Sequence, residues 1–259
     1  MDKISPYIFF KLLFFVKIAL FVFHFSFLVE KTVLLRQILK KDFKLAKKTT
    51  YKVKEIYYTL QGEGAMTGRA AVFCRFTGCN LWSGREEDRE KAICQFCDTD
   101  FWGTDGLNGG RYEAEKLAEK VASLWNDGQN SGKPYVVCTG GEPLLQLDEA
   151  LIDAFHKEGL EVAIETNGTL KPPKNVDWIC VSPKAHTEII ITKGNELKLV
   201  FPQAFAEPER YEHLDFEHFF LQPMDNLQQA DNIKATLDFC MKNPKWRLSL
   251  QTHKLLNIP

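Results

Sequence analysis

The sequence predicts an α/β fold, a partial and open β/α barrel carrying a hydrophobic N-terminal extension. Three observations predict it. After residue 50, short β-rich runs alternate with amphipathic helical patterns, the order that builds a parallel sheet. Polar or Gly-rich motifs follow the strand candidates at their C-terminal ends, where open α/β sheets and β/α barrels build their sites. The body has about 210 of the 259 residues, short of the ~250 of a full eight-unit barrel.

The extension comes first. Residues 1–48 carry ten Lys and Arg against three Asp and Glu, and hold nine of the 20 Phe. The formal net charge of −1 therefore conceals a basic segment and a body with 23 basic and 31 acidic residues. Residues 7–29 read YIFFKLLFFVKIALFVFHFSFLV, long enough for a helix of about 20 residues to cross a bilayer. Lys11, Lys17 and His24 interrupt the run, and charge near the middle of a span is costly. Three readings arise: a membrane anchor, an uncleaved signal-like segment, or an extension foreign to the fold, such as translation from an upstream start. No small-x-small site argues for a cleavable signal peptide, and the interrupting charges place the foreign extension ahead of the anchor. The basic run 31–48 keeps the body in the cytoplasm by the positive-inside tendency, with membrane association only through residues 7–29. Seven cysteines, an odd number set mostly in apolar runs, argue for a reducing compartment rather than a disulfide framework.

The body, residues 49–259, reads as one domain. Strand candidates lie at 54–60, 71–76, 135–138, 162–165, 178–181, 196–201 and 219–221, with amphipathic helical stretches at 113–126, 147–158 and 227–241. QGEG follows the first strand, CTGGEP ends the third, and ETNG, VSPK and LQPMD close later ones.

Chemistry concentrates in GCNLWSGREEDREKAICQFCDTD. Cys94 and Cys97 stand two residues apart and can grip one metal centre from a single turn, with Cys79 supplying a third thiolate across a 14-residue loop. Three thiolates suit a 4Fe-4S cluster with one iron open, and they also suit zinc with a fourth ligand from elsewhere. The charges at 85–91 read as a solvated surface insertion. Cys74 alternates within a strand as a small hydrophobe, and Cys138, Cys180 and Cys240 take the same reading. No fourth protein ligand is evident, which favours the open-iron cluster. Gly140 and Gly141 after a β-run let the backbone approach a ligand closely.

These residues together resemble the radical S-adenosylmethionine enzymes: a cysteine triad whose last pair encloses an aromatic second residue, Phe96, and a downstream GGEP. The superfamily's usual first gap is three residues, and here it is 14. LQGEG at 60–64, CRFTGCNLW at 74–82, CDTDF at 97–101, CTGGEP, ETNG, VSPK, QPMD and a terminal QTHKLLNIP narrow the resemblance to the 7-carboxy-7-deazaguanine synthase family, over residues 51–259.

The resemblance implies a 4Fe-4S cluster on Cys79, Cys94 and Cys97, with S-adenosylmethionine on the fourth iron. It implies a 5′-deoxyadenosyl radical that takes a hydrogen from C6 of 6-carboxy-5,6,7,8-tetrahydropterin, then ring contraction with loss of ammonia to 7-carboxy-7-deazaguanine, in queuosine-type biosynthesis. Phe96, Cys97, Asp98, Gly141, Ser182, Pro183, Lys184, Gln222, Pro223, Met224 and Asp225 fall on its S-adenosylmethionine positions. Leu60, Gln61, Gly62, Arg75, Thr139, His253 and the terminal carboxylate of Pro259 fall on its pterin positions, and Thr99 on its magnesium position. It also implies a homodimer and an electron donor such as flavodoxin or ferredoxin. The chemistry fits: a carboxylated pterin needs acceptors for its guanidine-like edge and a cation for its carboxylate, which Arg75 can supply as a forked donor, and magnesium takes hard oxygen ligands.

Bland readings stand beside these. His253 alone is an exposed base near a chain end, Thr99 a turn hydroxyl, and Glu63 a solvent carboxylate in a glycine turn. The surrounding motifs reverse that reading for Thr99, Arg75 and His253. Two other functions compete: a radical activase that makes a glycyl radical on a partner protein, and a non-catalytic zinc module that binds nucleic acid. The acidic body counts against the last, since phosphate binding needs a basic face.

Overall fold

The computed structural model describes residues 50–127 and 131–259. The anchor, signal and foreign-extension readings of the N-terminal segment fall outside the described residues.

Among the described residues nine strands form one sheet: β1 (Tyr51–Leu60), β2 (Ala70–Phe76), β3 (Gly110–Tyr112), β4 (Tyr135–Gly140), β5 (Glu161–Thr166), β6 (Trp178–Val181), β7 (Lys193–Phe201), β8 (Asp215–Pro223) and β9 (Trp246–Leu248). Their order is β3-β1-β2-β4-β5-β6-β7-β8-β9, with β3 and β9 at the open edges. From β2 to β9 every neighbouring pair is parallel. The one departure from the expected parallel sheet is at an edge, where β1 runs antiparallel to both β2 and β3. A 3-10 turn at Gly64–Met66 folds the chain from β1 straight back into β2, so no crossover is needed there.

Among the described residues four helices accompany the sheet: α1 (Ala114–Asp127), α2 (Glu149–Lys157), α3 (Gln229–Lys242) and α4 (Thr252–Leu256). On α1 the buried Leu117, Ala118, Val121, Ala122 and Trp125 recur at helical spacing, the apolar stripe that drives it onto the sheet. Asp148 caps α2 by accepting from the Leu151 N–H at 3.0 Å, which satisfies one orphan donor of the first turn. The βα alternation is incomplete. The crossovers 167–177 and 182–192 contain no helix, and 202–214 contains only the 3-10 turn Pro208–Arg210.

The central strands are buried on both faces, as parallel strands usually are. One face carries the aliphatic core: Val72, Cys74 and Phe76 of β2, Val136 and Cys138 of β4, and Val162 and Ile164 of β5 pack with α1 and α2. A second cluster gathers Leu197 and Leu199 of β7, Phe219 and Leu221 of β8, and Trp246 of β9. The alternate residues Arg75, Thr139, Glu165, Lys198, Val200 and Gln222 point to the opposite, inner face, where they line a single cavity. Strand alternation thus separates core from site. Among the described residues no helix is long and apolar enough to cross a membrane.

Candidate active site

The inner-face cavity has a volume of about 370 Å³. Its wall at one end is made by the cysteine loop. Cys79 lies just past β2, and Gly141 past β4 packs against it so closely that a Cβ there would stand 2.2 Å from the Gly78 carbonyl oxygen and 2.8 Å from Cys79 Cβ. The Glu142 N–H donates to that carbonyl at 2.9 Å. The GGEP backbone is therefore a buttress for the first cysteine, and only glycine fits at 141.

Glu142 itself is fully buried. Its carboxylate accepts from the Leu144 N–H at 3.0 Å, the Thr166 hydroxyl at 2.8 Å and the Asn167 N–H at 2.8 Å. Asn167 in turn donates to Asn80 at 2.9 Å. GGEP, ETNG and the segment after Cys79 are latched together. Burial pushes the Glu142 carboxyl up, against the pull of the Asn167 and Leu144 N–H groups.

Cys94 and Cys97 reach the same wall. The Cys94 thiol hydrogen-bonds Cys97, which draws the Cys97 thiol down to about 6 against the opposing effect of burial. Cys79 is pushed up by burial, although its sulfur accepts from the Leu81 N–H at 3.4 Å. Among the described residues no three His, Cys, Asp or Glu side chains close tightly enough to hold a single metal ion. Three thiols line the one cavity, the ligand number that a 4Fe-4S cluster with one open iron takes from a protein.

The insertion 85–91 is exposed, as expected, and forms the 3-10 turn Glu86–Lys91. Arg89 departs from the solvated reading. It stacks on Trp82 at 4.2 Å and donates to the carbonyls of Gln95 at 2.8 Å and Cys97 at 3.1 Å.

Of the positions matched to S-adenosylmethionine, Phe96, Cys97, Asp98, Gly141, Ser182, Lys184, Gln222, Pro223, Met224 and Asp225 all line the cavity. Pro183 does not; its carbonyl accepts from Gln203 at 3.4 Å behind the wall. Lys184 curls back to the Ser182 carbonyl at 2.8 Å. Gln222 is committed to neighbours, donating to Glu63 at 3.1 Å and accepting from Ser249 at 3.2 Å. Asp98 and Asp225 both pair with Lys254 at 2.6 Å; for Asp98 the lysine outweighs burial and holds the carboxyl below its usual range.

All seven positions matched to the pterin line the cavity, as does Thr99. The β1 end supplies Leu60, Gln61 and Gly62, and the C-terminal segment folds over them. The Gly62 carbonyl accepts from the Thr252 N–H and hydroxyl, both at 2.9 Å, and a Cβ at Gly62 would stand 2.3 Å from His253 Nδ1. Thr59 donates to a terminal oxygen of Pro259 at 3.0 Å, which brings the last residue into the cavity. Arg75 is not the unencumbered fork that sequence alone suggests: Nε donates to Glu55 and Nη2 to Tyr57, each at 2.8 Å. Those bonds leave three of its five N–H donors unspent.

One expectation is corrected. Glu63 is no solvent carboxylate: it pairs with Lys198 and accepts from Gln222 and Gln251 at 3.1 and 3.0 Å. Burial pushes the carboxyl up, but the Lys198 charge and the hydrogen bonds from Lys198 and Gln251 together hold Glu63 below the usual range. Cys74 and Cys138 sit in the core as small hydrophobes, and Cys240, half-buried on α3, packs against the second cluster. Cys180 is buried too, but it faces the cavity and approaches Glu196 at 3.4 Å.

Sequence reasoning also passed over Glu165, Glu196 and Lys198. Glu165 stands at the end of β5 in ETNG, where a strand-end acid was available as a signal. Glu196 and Lys198 lie mid-strand in NELKLVF with no motif around them.

No protein-family model matches the chain. A 7-carboxy-7-deazaguanine synthase of Bordetella pertussis is 60% identical over 210 residues, which covers 81% of this chain and 99% of that protein. One from Nitratidesulfovibrio vulgaris is 55% identical over 215 residues, covering 81% and 100%, and one from Bacteroides thetaiotaomicron is 42% identical over 207 residues, covering 80% and 98%. The crystal structure of QueE from Escherichia coli superposes with a TM-score of 0.59 at 26% identity, covering 78% of this chain and 93% of that one.

Proposed function

We infer the function from membership: this chain belongs to the 7-carboxy-7-deazaguanine synthase family. It is a radical S-adenosylmethionine lyase that converts 6-carboxy-5,6,7,8-tetrahydropterin to 7-carboxy-7-deazaguanine with loss of ammonia. The observation that carries the reading is that the cysteine loop, the strand-end motifs and the C-terminal segment line one cavity of about 370 Å³, within the size range of small-molecule sites.

Cys79, Cys94 and Cys97 would hold the cluster, and Gly141, Ser182, Lys184 and the 222–225 segment would hold S-adenosylmethionine. Bound together, cluster and cofactor supply a 5′-deoxyadenosyl radical for hydrogen abstraction. The chain's own residues then bind, orient and shield. Arg75, fixed by Glu55 and Tyr57, presents its remaining donors to the substrate carboxylate. Glu165 and the Pro259 terminus offer acceptors to the guanidine-like edge, and His253, seated over Gly62, closes the cavity above the ring. Thr99, which lines the same cavity, would supply a hydroxyl to a bound magnesium ion.

Residues 49–259 act as the catalytic domain and 1–48 as an extension outside it; the span of the relatives, which match about four-fifths of the chain, supports that division. The domain works in the cytoplasm as a homodimer, reduced by a flavodoxin or ferredoxin. The free cysteines of the described residues suit a reducing compartment.

The test is anaerobic purification, iron and sulfide measurement, then addition of S-adenosylmethionine, reductant and the carboxypterin. Formation of 7-carboxy-7-deazaguanine is expected, and a colourless zinc-loaded protein without product would overturn the reading. Thr99→Ala should retain iron and lose the response of turnover to magnesium; an unchanged magnesium response would remove Thr99 from the assignment.

A further inference from the structure

A continuous polar row crosses the inner face of the sheet. Register pairs Glu55 with Arg75, Arg75 with Thr139, Glu165 with Cys180, and Cys180 with Glu196. Thr139 joins the two halves through its hydroxyl, 3.4 Å from Glu165 Oε2. Arg75 answers Glu55 at one end. At the other end the carboxylates Glu165 and Glu196 face Lys198, which stands two residues beyond Glu196 on the same face of β7 with its side chain 6% exposed.

The hydrogen bonds divide unevenly around that lysine. Glu63 holds three close partners: one oxygen takes Lys198, and the other takes Gln222 and Gln251 at 3.1 and 3.0 Å. Glu165 also has three, two of them near the limit of bonding distance: its Oε1 accepts from Gln61 at 3.0 Å and sits 3.5 Å from the Lys198 ammonium, while Oε2 has the Thr139 hydroxyl at 3.4 Å. Glu165 lines the cavity with its side chain 22% exposed, so a ligand filling the cavity would exclude solvent from it. A carboxylate stripped of water needs both a nearby cation and new donors.

We propose that Lys198 is a substrate-positioning residue: it is the cation that holds Glu165 oriented as an acceptor once the ligand excludes water, and thereby sets the preference for a ligand presenting a guanidine-like pair of N–H donors. Lys198 acts through Glu165 and touches no reacting atom. The inference rests on the carboxypterin reading above.

The test uses the iron-loaded enzyme and two ligands, 6-carboxy-5,6,7,8-tetrahydropterin and its 2-desamino analogue. Lys198→Met should raise KM for the carboxypterin about tenfold or more, as expected when one partner of a buried charge contact is removed, with kcat within about threefold of the parent and iron content unchanged. A loss of ground-state binding has that signature. Binding of the 2-desamino analogue, which lacks the amino donor of the pair, should change much less. In a Glu165→Gln background the same Lys198→Met change should add almost nothing, because the two side chains act as one unit. Equal loss for both ligands, or full additivity with Glu165→Gln, would reduce Lys198 to a structural residue and overturn the proposal. If removal of the lysine alone prevents folding, Glu63→Gln with Lys198→Met removes the pair together and is read by the same two criteria. A parent enzyme that makes no deazaguanine takes down the functional reading and the proposal with it. A parent that turns over, beside a Lys198→Met enzyme with unchanged selectivity, takes down the proposal alone.

Discussion

Gly141→Ala tests how the site is held. The added Cβ would meet the Gly78 carbonyl oxygen at 2.2 Å, its carbonyl carbon at 2.7 Å and Cys79 Cβ at 2.8 Å. Ordinary contacts begin near 3.4 Å, so the Gly78–Cys79 segment must retreat by about 1 Å or more. The retreat also breaks the 2.9 Å bond from the Glu142 N–H to Gly78. Overpacking costs about 1–3 kcal/mol and the hydrogen bond about 1 kcal/mol, so folding survives with a fall in Tm of several degrees. Metal ligation is less forgiving, since productive ligand distances hold within about 0.2 Å. We expect the Gly141→Ala protein to stay folded, by circular dichroism and thermal melting of the apo form, and to take up well under half the parent's iron on anaerobic reconstitution. Full iron uptake with an unshifted melting curve would refute the buttress argument.

Further outcomes follow from the same geometry. Cys94→Ala should lose cluster and activity together, whereas Cys74→Ala, a core position, should keep its iron content and lose only some thermal stability; iron loss at Cys74 would show that the triad is misassigned. One residue appended after Pro259 should raise KM for the carboxypterin by about tenfold or more, because it removes the carboxylate beside Thr59 from the cavity; unchanged kinetics would dismiss the terminus as a ligand group. Glu161 is held below its usual range chiefly by hydrogen bonds from Arg69, with Lys133 assisting. A lowered carboxyl stabilises the fold above its unfolded value of about 4.3, and that share is lost as pH falls through the folded value. Glu161→Gln should therefore be less stable than the parent at neutral pH but lose less between pH 5 and strong acid, in melts taken across that range. Parallel melting curves at every pH would contradict it.

Much of this was legible in the sequence because it is written locally. Long strands such as β2 and β7 announce themselves by alternation, and helices α1 to α3 by a 3.6-residue apolar period. The three-residue strands β3 and β9 and the five-residue α4 are too short to carry either signal. The antiparallel edge at β1 depends on where the chain turns after QGEG, and the helix-free crossovers depend on what covers the sheet. Neither is a property of the segments themselves.

The site divides the same way. Motif glycines and cysteines were visible as motifs, and their placement around one cavity follows from strand ends meeting at one rim. Lys198 and Glu196 were invisible because NELKLVF reads as an ordinary half-exposed strand; only the closed inner face makes its polar side a buried one. Glu63 was misread for the same reason, since nothing beside it in QGEG reveals Lys198, 135 residues away. Arg75 was found as a cation, but the partners that fix its direction, Glu55 and Tyr57, come from the neighbouring strand.

The most direct measurement tracks the hydrogen. Reconstituted enzyme is given reductant, S-adenosylmethionine and carboxypterin deuterated at C6, and both products are analysed by mass spectrometry. We expect 7-carboxy-7-deazaguanine together with 5′-deoxyadenosine that carries deuterium. Unlabelled 5′-deoxyadenosine formed without the deazaguanine would contradict it.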